Sequence, residues 1–190
     1  NIELVAISIY GEIGWNRPEV LDSFYLNSLF VSENVRSWVN SERGDYIPVF
    51  LSEIPKLFDG GYLPIDVAIL HVSPPDAHGY CTLGTSADIA ISAVRNAKKI
   101  IAQVNPRMPR VLGDGIIHVS RFDAAVWDEA ELFEVNYADK ADEVSNKIAL
   151  QVASLIDDGA TLQMGIGAIP NAILNALSNH KDLGIHTEMF

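Results

Sequence analysis

The sequence predicts an α/β fold, a mostly parallel sheet flanked by helices. Three observations carry that prediction. Strand-like and helix-like segments alternate along the chain, the order found where parallel strands are joined by crossover helices. Asp66-Val67-Ala68-Ile69-Leu70-His71-Val72 is a nearly unbroken apolar run, the pattern of a strand buried on both faces. From Asp142 onward the pattern becomes regular, as helix, strand, glycine loop, helix and strand.

The elements follow in order. Residues 2–10 are β-branched and apolar, and Gly11 ends them. Residues 14–44 carry Trp15, Pro18, Trp38 and many polar residues without clean periodicity, which predicts irregular chain with short helices. A short apolar run over 46–51 precedes a helical turn over 52–58. Ser73-Pro74-Pro75-Asp76 breaks the strand that ends at Val72. Thr85 is placed to cap a helix with Asp88 in its first turn, and Ile89, Ala93, Val94 and Ala97 follow at helical spacing. Residues 99–104 form the next strand, stopped by Asn105-Pro106, and an irregular stretch runs through Gly113, Gly115 and Trp127. Val144, Ile148, Val152, Leu155 and Ile156 then share one helical stripe over 142–157, with Gly159 as C-cap. Residues 161–164 read as a strand, 165–170 as a tight loop, 171–177 as a helix and 184–187 as a strand. No repeat, low-complexity segment or linker interrupts residues 1–190, so one domain is expected.

Composition narrows the function. The 190 residues are 48% hydrophobic and 20% charged, an ordinary globular balance. A chain of this length buries about 70% of its unfolded surface, enough for a core without staples. Lys and Arg number 13 against 25 Asp and Glu, for a net charge of −12. That balance, without a Lys/Arg cluster, argues against nucleic acid as the main partner. Arg95 to Lys99 reads instead as a helix end with cations in its last turn. An anionic ligand must therefore be drawn in by local structure. The one cysteine, Cys81, excludes a disulfide framework within the chain and fits a reducing, cytoplasmic setting. No stretch approaches the roughly 18 uninterrupted apolar residues of a membrane span. The N-terminus has no basic region before its apolar run, so a signal peptide is not expected. It also starts without Met directly in a strand-like run, and a fragment is expected.

The most informative piece is 161–190. In a right-handed β-α-β unit the two strands are parallel and their carboxyl ends share one edge of the sheet, where open α/β folds bind ligands. Gly165, Ile166, Gly167, Ala168 and Ile169 leave the first strand at that edge, and Glu188 leaves the second. Two glycines let backbone N–H groups turn outward, and Pro170 suits the first turn of the helix that follows. The result is an anion-binding nest on a helix N-terminus, with a carboxylate beside it. Two plainer readings stay open. A Gly-x-Gly also serves as a simple tight turn, and a glutamate at a strand end also serves as a solvated charge. A dinucleotide fingerprint competes as well, since Gly165, Gly167 and Glu188 fit its spacing, although Pro170 stands where its third glycine should be.

At these residues the sequence resembles the acetyl-CoA hydrolase/transferase family, which includes 4-hydroxybutyrate CoA-transferases and butyryl-CoA:acetate CoA-transferases. The resemblance rests on Asp158-Gly159-Ala160-Thr161-Leu162-Gln163-Met164-Gly165-Ile166-Gly167-Ala168-Ile169-Pro170 and on Leu183-Gly184-Ile185-His186-Thr187-Glu188-Met189. Upstream it is supported by His71-Val72-Ser73-Pro74-Pro75-Asp76-Ala77-His78-Gly79-Tyr80, by Gly113-Asp114, by His118-Val119-Ser120, and by Pro48-Val49-Phe50 with Glu53-Ile54-Pro55.

The resemblance implies a CoA-transferase-type fold and coenzyme A as co-substrate, with no permanently bound cofactor. It implies that Glu188 is the nucleophile of a ping-pong transfer of CoA between an acyl-CoA and a short-chain carboxylic acid such as acetate, butyrate or 4-hydroxybutyrate. Gly165 to Ile169 would contact CoA and donate to developing oxyanion charge, with Gln163 as a neutral donor nearby. Family members are about twice as long, with a second glycine-rich segment that nothing here resembles, so half of the pocket is expected in this chain, as the N-terminal half of a homo-oligomeric enzyme. Acyl-CoA hydrolysis through the same intermediate, an NAD(P)-dependent oxidoreductase and a non-catalytic CoA-binding module are the alternatives.

Other constellations are weaker. His71, Asp76, His78 and Cys81 match no standard zinc spacing, and no metal is expected. Asp76 and His78 read as loop-ordering residues and Cys81 as buried and inert. Ser73, His78 and Asp114 compose a triad only on paper, without a Gly-x-Ser-x-Gly elbow. His186 reads as a core residue that could tune the nucleophile, Trp15, Trp38 and Trp127 as core or interface, and Met164 and Met189 as filling space by the site.

Overall fold

The computed structural model describes residues 2–134 and 142–187. They fall into two units, 1–133 and 134–190, each taken by itself.

In the first unit, β1 (Ile2–Ala6), β2 (Phe24–Ser28) and β3 (Gly44–Tyr46) form a parallel sheet in the order β1-β2-β3. The short helix α1 (Arg36–Val39) lies between β2 and β3 in sequence and buries Trp38 with Leu26 and Val35. Trp15 packs edge-on against Trp38, at a ring separation of 6.3 Å. The stretch expected to be irregular thus contains a strand, β2, whose Leu26 is wholly buried. Helix α2 (Ile54–Asp59) has Pro55 in its first turn and buries Ile54 and Phe58 with Leu29.

A second sheet of this unit holds β4 (Val67–Val72), β6 (Lys99–Val104) and β8 (Ala124–Trp127), all parallel in the order β4-β6-β8. Helix α3 (Ala90–Asn96) follows β4 in sequence and covers one face. That face carries Ala68, Leu70 and Val72 from β4, paired in register with Ile100, Ala102 and Val104 from β6. The antiparallel pair β5 (Tyr80–Thr82) and β7 (Ile116–His118) adds Cys81 and Ile117 to the same core.

Two expectations change here. Val67, Ile69 and Ile101 alternate out of that core, and Ile69 is 76% exposed, so β4 is buried on one face and not on both. Helix α3 starts five residues after Thr85, whose hydroxyl contacts the Met108 sulfur and caps nothing.

In the second unit, α4 (Glu143–Ala153) is capped by Asp142, whose Oδ1 accepts the Ser145 amide at 2.7 Å. Its buried positions are Ser145, Ala149 and Ala153, four residues apart, and α5 (Ala168–Ala176) packs against it. The expected Val144–Leu155 stripe is not the buried one: Val144 is 63% and Leu155 83% exposed, and Leu155 and Ile156 lie past the helix end. Small residues let two helix backbones approach closely, which a stripe of branched side chains prevents. Gly159 likewise sits in the turn beyond the helix, where its amide donates to Lys181 O, while Ser154 is the C-cap. Strands β9 (Thr161–Leu162) and β10 (Gly184–Ile185) pair in parallel, as the sequence predicts, with α5 between them in the chain. The fold is therefore mixed α/β, with parallel sheets and flanking helices.

Candidate active site

The β9–α5–β10 unit is anchored at its base. Gly159 N–H donates to Lys181 O at 2.9 Å, and Asp158 Oδ1 accepts the Lys181 amide at 2.8 Å. The ladder then runs from Gly184 N–H to Ala160 O and from His186 N–H to Leu162 O, both 2.9 Å. A Cβ at Gly184 would stand 2.9 Å from Thr161 Oγ1, so a larger residue there needs the threonine side chain to turn away.

Beyond Leu162 the chain leaves the sheet through Gln163, Met164, Gly165 and Ile166 and reaches Gly167, the N-cap of α5. Gly167 has φ +124° and ψ −175°, a region essentially restricted to glycine. Its carbonyl accepts the Asn171 amide at 3.2 Å, the first bond of the helix. The amides of Ala168 and Ile169 precede that bond and have no intrahelical acceptor, no side chain among the described residues caps them, and Pro170 carries no amide. Gly165, Ile166, Gly167 and Ile169 are exposed and Ala168 is half-buried. A helix N-terminus with open donors and a positive dipole end favours an anionic or polarised oxygen. Gln163 is exposed at the start of the same segment.

Thr187 joins the two strand ends. Its Oγ1 accepts the Met164 amide at 3.1 Å and donates to the Met164 carbonyl at 2.9 Å. The sequence pattern alone assigns this side chain no role; its signal is a hydroxyl one residue before a candidate nucleophile, in His186-Thr187-Glu188. Glu188 and Met189 lie outside the described residues. His186 is exposed, in contrast to the expected core position. On the first turn of α5, Asn171 Nδ2 is buried and finds no hydrogen-bond partner among the described residues.

The remaining candidates sit in the first unit. Asp76 Oδ1 accepts the His78 and Tyr80 amides, each at 2.9 Å, and Oδ2 meets Arg110 at 2.7 Å. These contacts, led by the Tyr80 amide, hold its carboxyl below the usual range, and Asp76 orders the loop as expected. Cys81 is wholly buried, and burial pushes its thiol up, away from thiolate character. Ser73 is buried and accepts the Thr82 amide at 3.0 Å, a structural use of its hydroxyl. Trp38 is core, whereas Trp127 is 64% exposed. Among the described residues no three His, Cys, Asp or Glu side chains form a group able to hold a metal, and no helix is long and apolar enough to cross a membrane.

Comparison with known proteins bears on the same segments. Residues 5–144 match the acetyl-CoA hydrolase/transferase N-terminal domain. The chain is 46% identical to the 4-hydroxybutyrate coenzyme A transferase of Clostridium kluyveri over 188 residues, which cover 99% of this chain and 44% of that protein. It is 44% identical to the succinyl-CoA:acetate/propanoyl-CoA:succinate CoA transferase of Fasciola hepatica, over 100% of this chain and 39% of the relative. Among solved structures, RipA from Yersinia pestis superposes with a TM-score of 0.81 at 35% identity, over 92% of this chain and 42% of that one. The 4-hydroxybutyrate CoA-transferase of Porphyromonas gingivalis gives 0.72 at 36% identity, over 88% and 43%. The chain thus spans about two fifths of the length of these relatives. A family match over most of the chain, relatives over nearly all of it and a shared fold lead to one conclusion: this chain belongs to the acetyl-CoA hydrolase/transferase family.

Proposed function

We propose that the protein transfers coenzyme A between an acyl-CoA thioester and a short-chain carboxylic acid, with Glu188 as the nucleophile. The observation that carries this reading is the shared strand edge. The open amides of Ala168 and Ile169 and the Thr187 side chain both follow parallel strands, and Thr187 is one peptide bond from Glu188. Relatives over the whole chain that are named CoA transferases support the same chemistry.

The steps balance without a cofactor. The Glu188 carboxylate attacks the thioester carbonyl, forming a mixed anhydride and releasing CoA thiolate. The thiolate attacks the glutamyl carbonyl, which frees the first carboxylate and leaves a glutamyl-CoA thioester. An acceptor carboxylate attacks that thioester, giving a second anhydride and thiolate, and the thiolate takes the new acyl group and restores Glu188. Each attack places negative charge on a carbonyl oxygen. Donors in the Gly165-Ile166-Gly167-Ala168-Ile169 loop, with Gln163 beside them, are suited to stabilise that charge and to contact CoA. Water attacking the same glutamyl thioester would give hydrolysis instead. We also read the enzyme as a cytoplasmic homo-oligomer, a setting with which one buried, unreactive cysteine agrees.

The test is covalent trapping. Full-length protein is incubated with acetyl-CoA and no acceptor, and peptides are mapped by mass spectrometry. A borohydride-sensitive CoA adduct on Glu188, absent in Glu188→Gln, is the expected result. Acetyl-CoA binding without any adduct would overturn the nucleophile assignment and favour a binding module, and dinucleotide binding without acyl-CoA turnover would favour an oxidoreductase.

A further inference from the structure

We propose that Thr187 is a positioning residue for the transfer, its hydroxyl setting where the chain enters Glu188. The inference rests on Glu188 being the nucleophile. A regular parallel ladder past His186–Leu162 would use the Met164 amide and carbonyl for its next two backbone rungs. Both groups are instead taken by one side chain, with Thr187 Oγ1 accepting from the Met164 amide at 3.1 Å and donating to the Met164 carbonyl at 2.9 Å. A hydroxyl can do this because it carries one proton and two lone pairs. Among the described residues the backbone ladder ends at His186, and the two strand ends remain fastened one residue further on.

The location gives the fastening its consequence. Met164 directly precedes Gly165, the first residue of the donor loop, and Thr187 directly precedes Glu188. One side chain thereby couples the entry of the loop to the entry of the nucleophile. The β-branch adds stiffness, since few χ1 rotamers are open to threonine on an extended chain. Attack on a thioester demands a near-attack separation of about 3–3.5 Å, and a displacement of about 1 Å costs on the order of 100-fold in rate. Loss of the hydroxyl should then act on the chemical step more than on acyl-CoA binding, which the backbone amides of the loop serve.

The experiment compares Thr187→Val, which keeps the shape and removes the hydroxyl, with Thr187→Ser, which keeps the hydroxyl. The readouts are kcat, KM for acetyl-CoA, the rate of glutamyl-CoA formation and the thermal midpoint, with Glu188→Gln in parallel. The expected result for Thr187→Val is a fall of about 100-fold in kcat and in adduct formation, with KM changed by less than about 3-fold. Thr187→Ser should restore both rates to within about 3-fold of the parent. Thr187→Ala provides the same comparison where the branched variant does not fold. An adduct lost in Glu188→Gln but formed at the parental rate in Thr187→Val overturns the positioning role alone. A kinetic loss that Thr187→Ser shares, accompanied by a lowered thermal midpoint, also overturns it and leaves a structural role. An adduct that persists in Glu188→Gln overturns the nucleophile assignment and this inference with it.

Discussion

Asn105 Nδ2 donates to His71 Nε2 at 2.9 Å, which fixes the imidazole as the neutral tautomer with its proton on Nδ1. Asn105 is wholly buried just past the end of β6, and His71 lies on β4. The same amide nitrogen also donates to Ala130 O at 2.8 Å, and Oδ1 accepts the Arg107 and Ala130 amides at 3.0 and 3.3 Å. One side chain thus joins the ends of the sheet to the segment after β8.

This arrangement makes the stability of the protein depend on the protonation of His71. Burial lowers its pKa from the ordinary 6.5, and the charge of Asp128 only partly opposes that shift. Between the lowered folded value and the unfolded value, the unfolded chain binds more protons, so stability rises with pH. The contribution is fully present above the unfolded value and is lost as pH falls through the folded one. His71→Gln keeps an acceptor for Asn105 and removes the titration. Thermal midpoints followed from about pH 7.5 to about pH 5 should fall less steeply in that variant than in the parent. Asn105→Asp should reverse the His71-dependent part, because a carboxylate facing Nε2 favours the imidazolium. Parallel curves for parent and His71→Gln would show that His71 is not linked to folding.

The register of β4 predicts a sharp contrast between neighbours. Leu70 is 5% exposed and packs in the core under α3, while Ile69 is 76% exposed on the opposite face. Leu70→Ala removes buried atoms and leaves a cavity, so unfolding in denaturant should show a loss of about 2–5 kcal/mol. Ile69→Ala should change stability by no more than about 0.5 kcal/mol. Equal losses would mean that both faces are covered when the protein is in solution.

That contrast also shows where sequence pattern stops being informative. The run over 67–72 is apolar at nearly every position, and nothing in it distinguishes a strand covered on one face from one covered on both. Strand β8 was not legible at all: its four residues are all exposed and do not alternate, and the strand exists through pairing with β6, a partner about 20 residues away. Strand β2 escaped for a related reason, since only Leu26 and Ser28 of its five residues are buried. Legibility was high where local chemistry decides the structure. Asp142 caps α4 through its own side chain, and the strand–glycine–helix order from Thr161 needs little from elsewhere. The Thr187–Met164 contact lies between these cases. The residue types were visible, but their meeting depends on the register of β9 against β10.

Gly167 and Gly165 should respond differently to the same added methyl group. An alanine Cβ at Gly167 meets none of the described residues within 4 Å, so the cost expected there comes from the backbone, held at φ +124°. That conformation should cost a non-glycine residue about 1–3 kcal/mol, and relieving the strain would re-aim the start of α5 with its open Ala168 and Ile169 amides. At Gly165 the nearest neighbour of a Cβ is Pro170 Cγ at 3.5 Å, an ordinary contact, and φ is not in the left-handed region. Gly167→Ala should therefore lower stability by about 1–3 kcal/mol and weaken acetyl-CoA binding, as read by calorimetry, whereas Gly165→Ala should leave stability within about 0.5 kcal/mol of the parent. Unchanged acetyl-CoA affinity in a folded Gly167→Ala protein would remove the helix start from the binding site and leave Gly167 a purely conformational role.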